Sequence, residues 1–444
     1  MVALGLILLA AQAAAGGEGA PRAVAVVPAA WKEEMAPWLE LRRRDFQVEL
    51  LVLEEELARG RGADAPERLK RRLWERWKAE GLDYVLLVGD ADTLPVRFMV
   101  LDRRTEAAFD TAFYPSDLYY ADLAEEDGSF EDWNDWSEGH HAGWFGEVRG
   151  ETDKSGPIDR DGVHYLPEAA VGRWPVSNRE ELRAVLGKTL AWEERRPEAT
   201  LFLAHAAGWV DARPRLDLLS AAWRTAGWEV ETALYGRTEP DPETTLGALR
   251  AGPALAIHVG HGTATGWQGC LRPGDVPVLR AAPPAVYLSV GCSTAHWCVE
   301  PPYQPYLDVD GILHAGTNAG EVFTEPPPAP APLQPGRLDE SGLGERLLLL
   351  EEGGAVAYLG CCTGAQPCAL SLLDGFAVAL ADPGVTRLGA AWNRALEHYV
   401  AAEELRGLEP DEGWYPPSIF FQGMKFLLLG DPCLSLPLRD RRGA

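Results

Sequence analysis

The chain has 444 residues and a formal net charge of −26, with 46% hydrophobic and 24% charged residues. This length suffices for two or three domain-sized units, and the composition is that of a soluble globular protein. The acidic balance argues against nucleic-acid partners, since phosphate binding needs basic patches, and it fits an extracellular protein or one that binds cations.

Residues 1–21 open with an apolar run, then small residues with an Ala-x-Ala pattern at 13–15. This reads as a signal peptide for bacterial-type export, which predicts a secreted or cell-envelope protein. No second apolar run is long enough to span a bilayer, so no membrane span is expected in the mature chain. AVAVVP at 23–28 reads as a strand, 31–43 as a helix, VELLVL at 48–53 as a strand, 66–80 as a charged helix and YVLLVGD at 84–90 as a strand. That β-α-β-α-β rhythm predicts a parallel sheet covered by helices.

From 111 to 164 the chain turns acidic, aromatic and glycine-rich with no sustained period, so it reads as a long loop. Such loops inside compact domains are usually functional or ordered by a metal. Asp117, Asp122, Asp132, Asn134, Asp135 and Glu147 supply oxygen ligands at loop spacing, which predicts a structural Ca²⁺ site, though not an EF-hand. The competing reading is a solvated acidic loop; Asp308 and Asp310 form a second, weaker acid group. A strand at 168–176 follows, with Ser177 and Asn178 as helix N-cap candidates for 179–194.

A second α/β series begins after the Arg195-Arg196-Pro197 break, dividing the chain into units at 22–196 and 197–444. It reads as a strand LFLAHAAG at 201–208, a helix at 216–226, a strand WEVETAL and a helix at 244–251. Two further apolar strands then end in glycine-rich turns: PALAIHVGHGTATGW, carrying His261, and PAVYLSVGCSTAHW, carrying Cys292. A proline-rich stretch at 300–339, a helix at 343–352, the strand AVAYLGC, helices at 371–380 and 385–403, and FLLLGDPCLSLPL complete the series.

In a parallel sheet, chemistry sits at the carboxyl ends of the strands. If these two strands are neighbours, His261 and Cys292 emerge side by side, and a thiol beside an imidazole is an activated nucleophile. The N–H groups of Gly262 and Cys292 are placed to hold an oxyanion. His258, two positions before Gly260, competes with His261, but strand alternation turns it into the packing layer. Cys298, Cys361 and Cys362 lack a paired histidine, and the six cysteines other than Cys292 permit three disulfides. No cysteine pair has zinc spacing.

The order strand–His–Gly, then strand–Gly–Cys, resembles the caspase-like cysteine peptidases. YVLLVGDADTLP, SDLYYADL, PEAAVGRWPVSNREEL, HVGHGTATGW, LSVGCSTAHW, GGAVAYLGC and LLGDPCLSL follow in order and together resemble the gingipain family, peptidase family C25. The resemblance implies two caspase/flavodoxin-like parallel-sheet subdomains with helices on both faces. It implies a secreted cysteine endopeptidase acting on protein or peptide substrates through a thioester, with no cofactor for catalysis. By motif, His261 matches the catalytic histidine and Cys292 the nucleophile. Some members assist the histidine with an acid after the strand that is LFLAHAAG here; this chain has His205, Ala206 and Ala207 there. Cleavage after Arg or Lys is also implied, with Asp211 and Asp217 as pocket candidates. The alternative is a catalytically inactive gingipain-like surface or binding module.

Overall fold

A computed structural model of the chain describes residues 19–102, 111–133, 165–316, 328–335, 342–403 and 422–438. Ten strands form its central sheet. They are β1 (Arg22–Val27), β2 (Gln47–Val52), β3 (Tyr84–Val88), β4 (Ala170–Trp174) and β5 (Thr200–His205). Then come β6 (Glu229–Leu234), β7 (Leu255–Val259), β8 (Ala285–Val290), β9 (Ala355–Cys361) and β10 (Phe426–Gly430). The spatial order is β2-β1-β3-β4-β10-β9-β8-β7-β5-β6.

All neighbours are parallel except β9 and β10, which pair antiparallel. Two parallel blocks of opposite direction are thus fused into one sheet. The last strand of the series, β10, crosses back to lie beside β4. Strands β4, β7, β8, β9 and β10 are buried along their whole length, as expected when helices cover both faces. The two edge strands, β2 and β6, instead alternate exposed and half-buried positions before two buried ones, and carry Glu49, Glu229 and Glu231, charges that discourage edge-to-edge pairing. One buried apolar cluster runs through both blocks, from Val26 and Leu86 to Ile257 and Leu359.

The helices are α1 (Ala36–Arg42), α2 (Leu53–Arg59), α3 (Ala65–Glu80), α4 (Arg179–Arg195), α5 (Arg213–Thr225), α6 (Pro242–Ala251), α7 (Leu343–Leu349), α8 (Leu370–Ala381) and α9 (Leu388–Ala402). Caps fix three starts: Asp64 accepts from Glu67 N, Asn178 from Glu181 N and Asp241 from Thr244 N. Each such cap contributes about 1 kcal/mol. Sequence periodicity misses α2, which is too short to display a period and follows β2 directly. Part of the stretch expected to be irregular is also ordered. Thr111–Pro115 pairs antiparallel with Phe98–Asp102, and the tyrosines of Asp117–Tyr120 are buried.

A buried ionic network holds the end of β10 against the first block. Asp431 accepts from Trp38 Nε1 at 2.6 Å and from Arg42 Nη2 at 2.7 Å, while Arg42 Nη1 donates to Glu193 at 2.6 Å. Arg42 is 2% exposed and Asp431 is fully buried. Removing one partner of a buried pair strands the other charge, so Asp431→Asn is expected to cost about 3 kcal/mol. The check is the urea midpoint at unchanged slope; a shift worth less than about 1 kcal/mol would show that the network adds little to the joint.

Candidate active site

Strands β7 and β8 are parallel neighbours with Val259 opposite Val290 and His258 opposite Ser289, so both end at the same level. Each continues into glycine, Gly260 and Gly291. The two turns touch through their backbones. A Cβ on Gly291 would lie 2.9 Å from Gly260 O, and one on Gly262 would lie 2.5 Å from Thr294 Cγ2 and 2.7 Å from Cys292 O. No side chain fits at either place, so glycine brings the His261 turn directly against the Cys292 turn.

Cys292 is half-buried, whereas Cys270, Cys298, Cys361, Cys362 and Cys433 are buried. Burial pushes the Cys361 thiol up to about 12, which leaves it a poor nucleophile. All seven thiols are free, so none of the disulfides that parity permits is formed. The Cys292 turn is fastened to the end of β9. Ser293 N–H donates to Thr363 O at 2.6 Å, Ala295 N–H to Cys361 O at 2.9 Å, and Cys292 Sγ lies 3.6 Å from Ala365 O. Ser293 has φ +54°, a left-handed conformation that costs a non-glycine residue about 1 kcal/mol. That strain sits one residue past the thiol, where such distortion often marks a functional turn.

His261 Nε2 lies 2.8 Å from Gly208 O. A carbonyl only accepts, so Nε2 carries the hydrogen and Nδ1 of the neutral ring keeps its lone pair. His258 differs in every respect. It is fully buried, stacks on Trp267 at 4.8 Å and 5°, and has Nδ1 2.9 Å from Ser289 Oγ. Trp267 Nε1 in turn donates to Tyr358 OH at 3.1 Å. His258 is therefore part of the packed floor under the two turns, as strand alternation predicts.

The pocket candidates are both engaged. Asp211 accepts from Arg213 through both oxygens, at 2.8 and 2.7 Å, and Asp217 is chelated by Arg237 at 2.7 Å on each oxygen. Asp211 lies on the loop that reaches His261 through Gly208, while Asp217 lies further along, on α5. The described calcium candidates face separate partners. Asp117 accepts from Arg173 Nε at 2.8 Å and Nη2 at 2.7 Å, and Asp132 pairs with Arg71 at 3.1 Å. Asp122 accepts from Trp133 Nε1 at 2.8 Å beside Lys70, whose buried ammonium lies among the rings of Tyr119, Trp133 and Phe130 at 4.6, 5.0 and 5.3 Å. Asn134, Asp135 and Glu147 lie outside the described residues. Among the described residues, no group of three or more His, Cys, Asp or Glu side chains is placed to hold a metal ion. Asp308, of the second acid group, accepts from His314 Nε2 at 2.7 Å.

Residues 17–437 match the family model for Peptidase family C25. The chain belongs to peptidase family C25. It is a cysteine peptidase, and its substrates are proteins or peptides. Among solved structures, it is similar to the Arg-specific cysteine proteinase gingipain R (RgpB), at 14% identity and TM-score 0.60, covering 95% of this chain and 79% of that one. The complex of Porphyromonas gingivalis RgpB pro- and mature domains matches at 15% identity and TM-score 0.58, covering 93% of this chain and 79% of that one. At these identities the likeness concerns the fold, the caspase-like α/β architecture of the gingipains. No curated protein matches the sequence. Among the described residues, no helix of this C25 peptidase is long and apolar enough to cross a membrane.

Sequence reasoning missed two contributors to the C25 site. One is the Gly208 carbonyl, a backbone atom with no residue-type signature. The other is the turn after β9, which holds Ser293 through Thr363 and lies against Cys292 through Ala365; its GCCTG sequence repeats the strand-then-glycine form of the two reactive turns.

Burial pushes His258 from its ordinary 6.5 down to about 3. Between those values the unfolded chain holds a proton there that the folded protein does not. Stability therefore falls as pH drops through this window, by about 1.4 kcal/mol per pH unit from this group. In His258→Gln the stability–pH curve between roughly pH 6 and 4 should be flatter than wild type by that slope. Parallel curves from denaturant melts would remove His258 as the source.

Proposed function

We propose that this C25 peptidase is an exported endopeptidase in which Cys292 is the nucleophile and His261 its acid–base partner. What carries the reading is the backbone contact between the Gly260–Gly262 and Gly291–Cys292 turns at the ends of adjacent parallel strands. The Nε2–H bond to Gly208 leaves His261 Nδ1 as the proton acceptor. In this reading the Cys292 thiol passes its proton to His261, and the thiolate attacks the peptide carbonyl. The N–H groups of Gly262 and Cys292 stabilise the oxyanion. His261 then protonates the departing amine, and water hydrolyses the thioester to return the thiol. Residues 1–21 serve as the export signal.

Cys292→Ala should abolish turnover with an unchanged melting curve, because the thiol is small. His261→Ala should fall by at least about 10³-fold, since the two groups act as a unit. Turnover surviving in Cys292→Ala would sink the assignment.

In the same proposal, basic P1 specificity runs through Asp211, the pocket candidate on the His261 loop. A substrate guanidinium has to compete there with Arg213, which already holds both oxygens. Exposed pairs are worth about 0–1 kcal/mol, so the competition is possible but the preference is weak. Arg213→Ala should raise kcat/KM for Arg-P1 peptides over Leu-P1 peptides several-fold. An unchanged ratio would exclude Asp211 from the pocket.

A further inference from the structure

Strand β5 ends at His205, which is fully buried. Its Nδ1 lies 2.7 Å from Val259 O, and a carbonyl only accepts, so Nδ1 carries the hydrogen. Its Nε2 lies 3.2 Å from Ala212 N, which only donates, so Nε2 carries the lone pair. A single neutral tautomer satisfies both contacts. Val259 is the last residue of β7, just before the turn that carries His261. Ala212 closes the loop whose Gly208 carbonyl receives His261 Nε2–H. One imidazole thus ties the strand that presents His261 to the loop that orients it.

We propose that His205 is a positioning residue for the peptidase reaction, clamping the 206–212 loop to the end of β7 so that the Gly208 carbonyl holds His261 with Nδ1 free for Cys292. This deepens the Cys292–His261 reading above and rests on it. The groups facing His205 are consistent with a neutral clamp. The Tyr235 ring packs at 5.0 Å and 58°, and Asp211 and Arg213 bring opposite charges that are paired with each other. His258 lies nearby on β7 and is itself neutral. Burial, the largest influence, holds the His205 imidazole below its ordinary value. A proton added at Nε2 would face the Ala212 N–H, donor against donor, and open the clamp.

The test compares wild type with His205→Ala and His205→Gln, the latter retaining an acceptor for Ala212 N–H. Two readouts are taken: kcat and KM on a peptide substrate, and the pH profile of Cys292 alkylation by iodoacetamide, located by peptide mass spectrometry with Cys292→Ala as the blank. Misplacing a reacting group by about 1 Å costs on the order of 10²-fold, so His205→Ala should lose about that in kcat with KM within a few-fold. Its Cys292 alkylation profile should move to higher pH than wild type, and His205→Gln should recover part of both losses. A folded His205→Ala with unchanged kcat and alkylation profile would overturn the positioning role while leaving the dyad intact. Wild-type Cys292 that alkylates like an ordinary thiol in a protein without turnover would remove both readings. If His205→Ala fails to fold, His205→Leu, which fills the site without either hydrogen bond, decides: a loss of about tenfold or more in kcat with a moved profile supports the clamp, and wild-type behaviour rejects it.

Discussion

The antiparallel pairing of β9 with β10 is the constraint on which the rest of the molecule turns. On one edge β9 continues the block that contains β8 and β7, and its far end holds the Cys292 turn through the carbonyls of Cys361 and Thr363. On the other edge it meets β10, whose exit is gripped by Trp38 and Arg42 of the first block. Register errors at this joint would displace the thiol turn and the Asp431 network together. A one-residue slip would also reverse which side chains of two fully buried strands face each layer. A hydrogen-bonded ladder inside a two-sided core is stiff enough to carry a site that tolerates little movement.

Charge is arranged by the same economy. The chain is strongly acidic, yet several acids that look available in the sequence are partnered inside the fold. Asp117 holds Arg173, whose guanidinium also donates to Gly89 O at 2.8 Å and lies over the Trp297 ring at 4.5 Å. Trp297 belongs to the segment that follows Cys292, so this one arginine links the acidic stretch of the first block to the neighbourhood of the nucleophile. Lys70, enclosed by three aromatic rings, brings a cation next to Asp122. The chain's own side chains meet these acids with positive charge.

The layered α/β fold was legible because its buried strands are continuous apolar runs and because Asn178, which caps by chemistry alone, opens α4. The adjacency of the His261 and Cys292 strands was legible from two runs of the same form, each ending in glycine. Three things were not legible. The opposite direction of the two blocks depends on β10 returning to β4, a long-range pairing that no local pattern encodes. The partners of Asp117, Asp132 and Asp211 are arginines that become neighbours only after folding or, for Arg213, lie too close in sequence to read as anything but surface charge. The Gly208 carbonyl, which decides the tautomer of His261, is a backbone atom, and sequence patterns of side chains are blind to it.

The place of β10 has a consequence for how the protein is made. It is the last of the ten strands to leave the ribosome, yet it fills the slot between β4 and β9 in the middle of the sheet. Domains generally fold from the N-terminal side as they are synthesised. Here each block can collapse early, but each then waits with an unpaired central edge, β4 on one side and β9 on the other. Until residues 426–430 arrive, the nascent chain presents two open sheet edges that invite pairing with other chains. With no disulfide among the seven thiols to hold the blocks together, the final strand acts as the late-arriving keystone. A nascent chain held back from its last strand is therefore the form of this protein most in need of a chaperone.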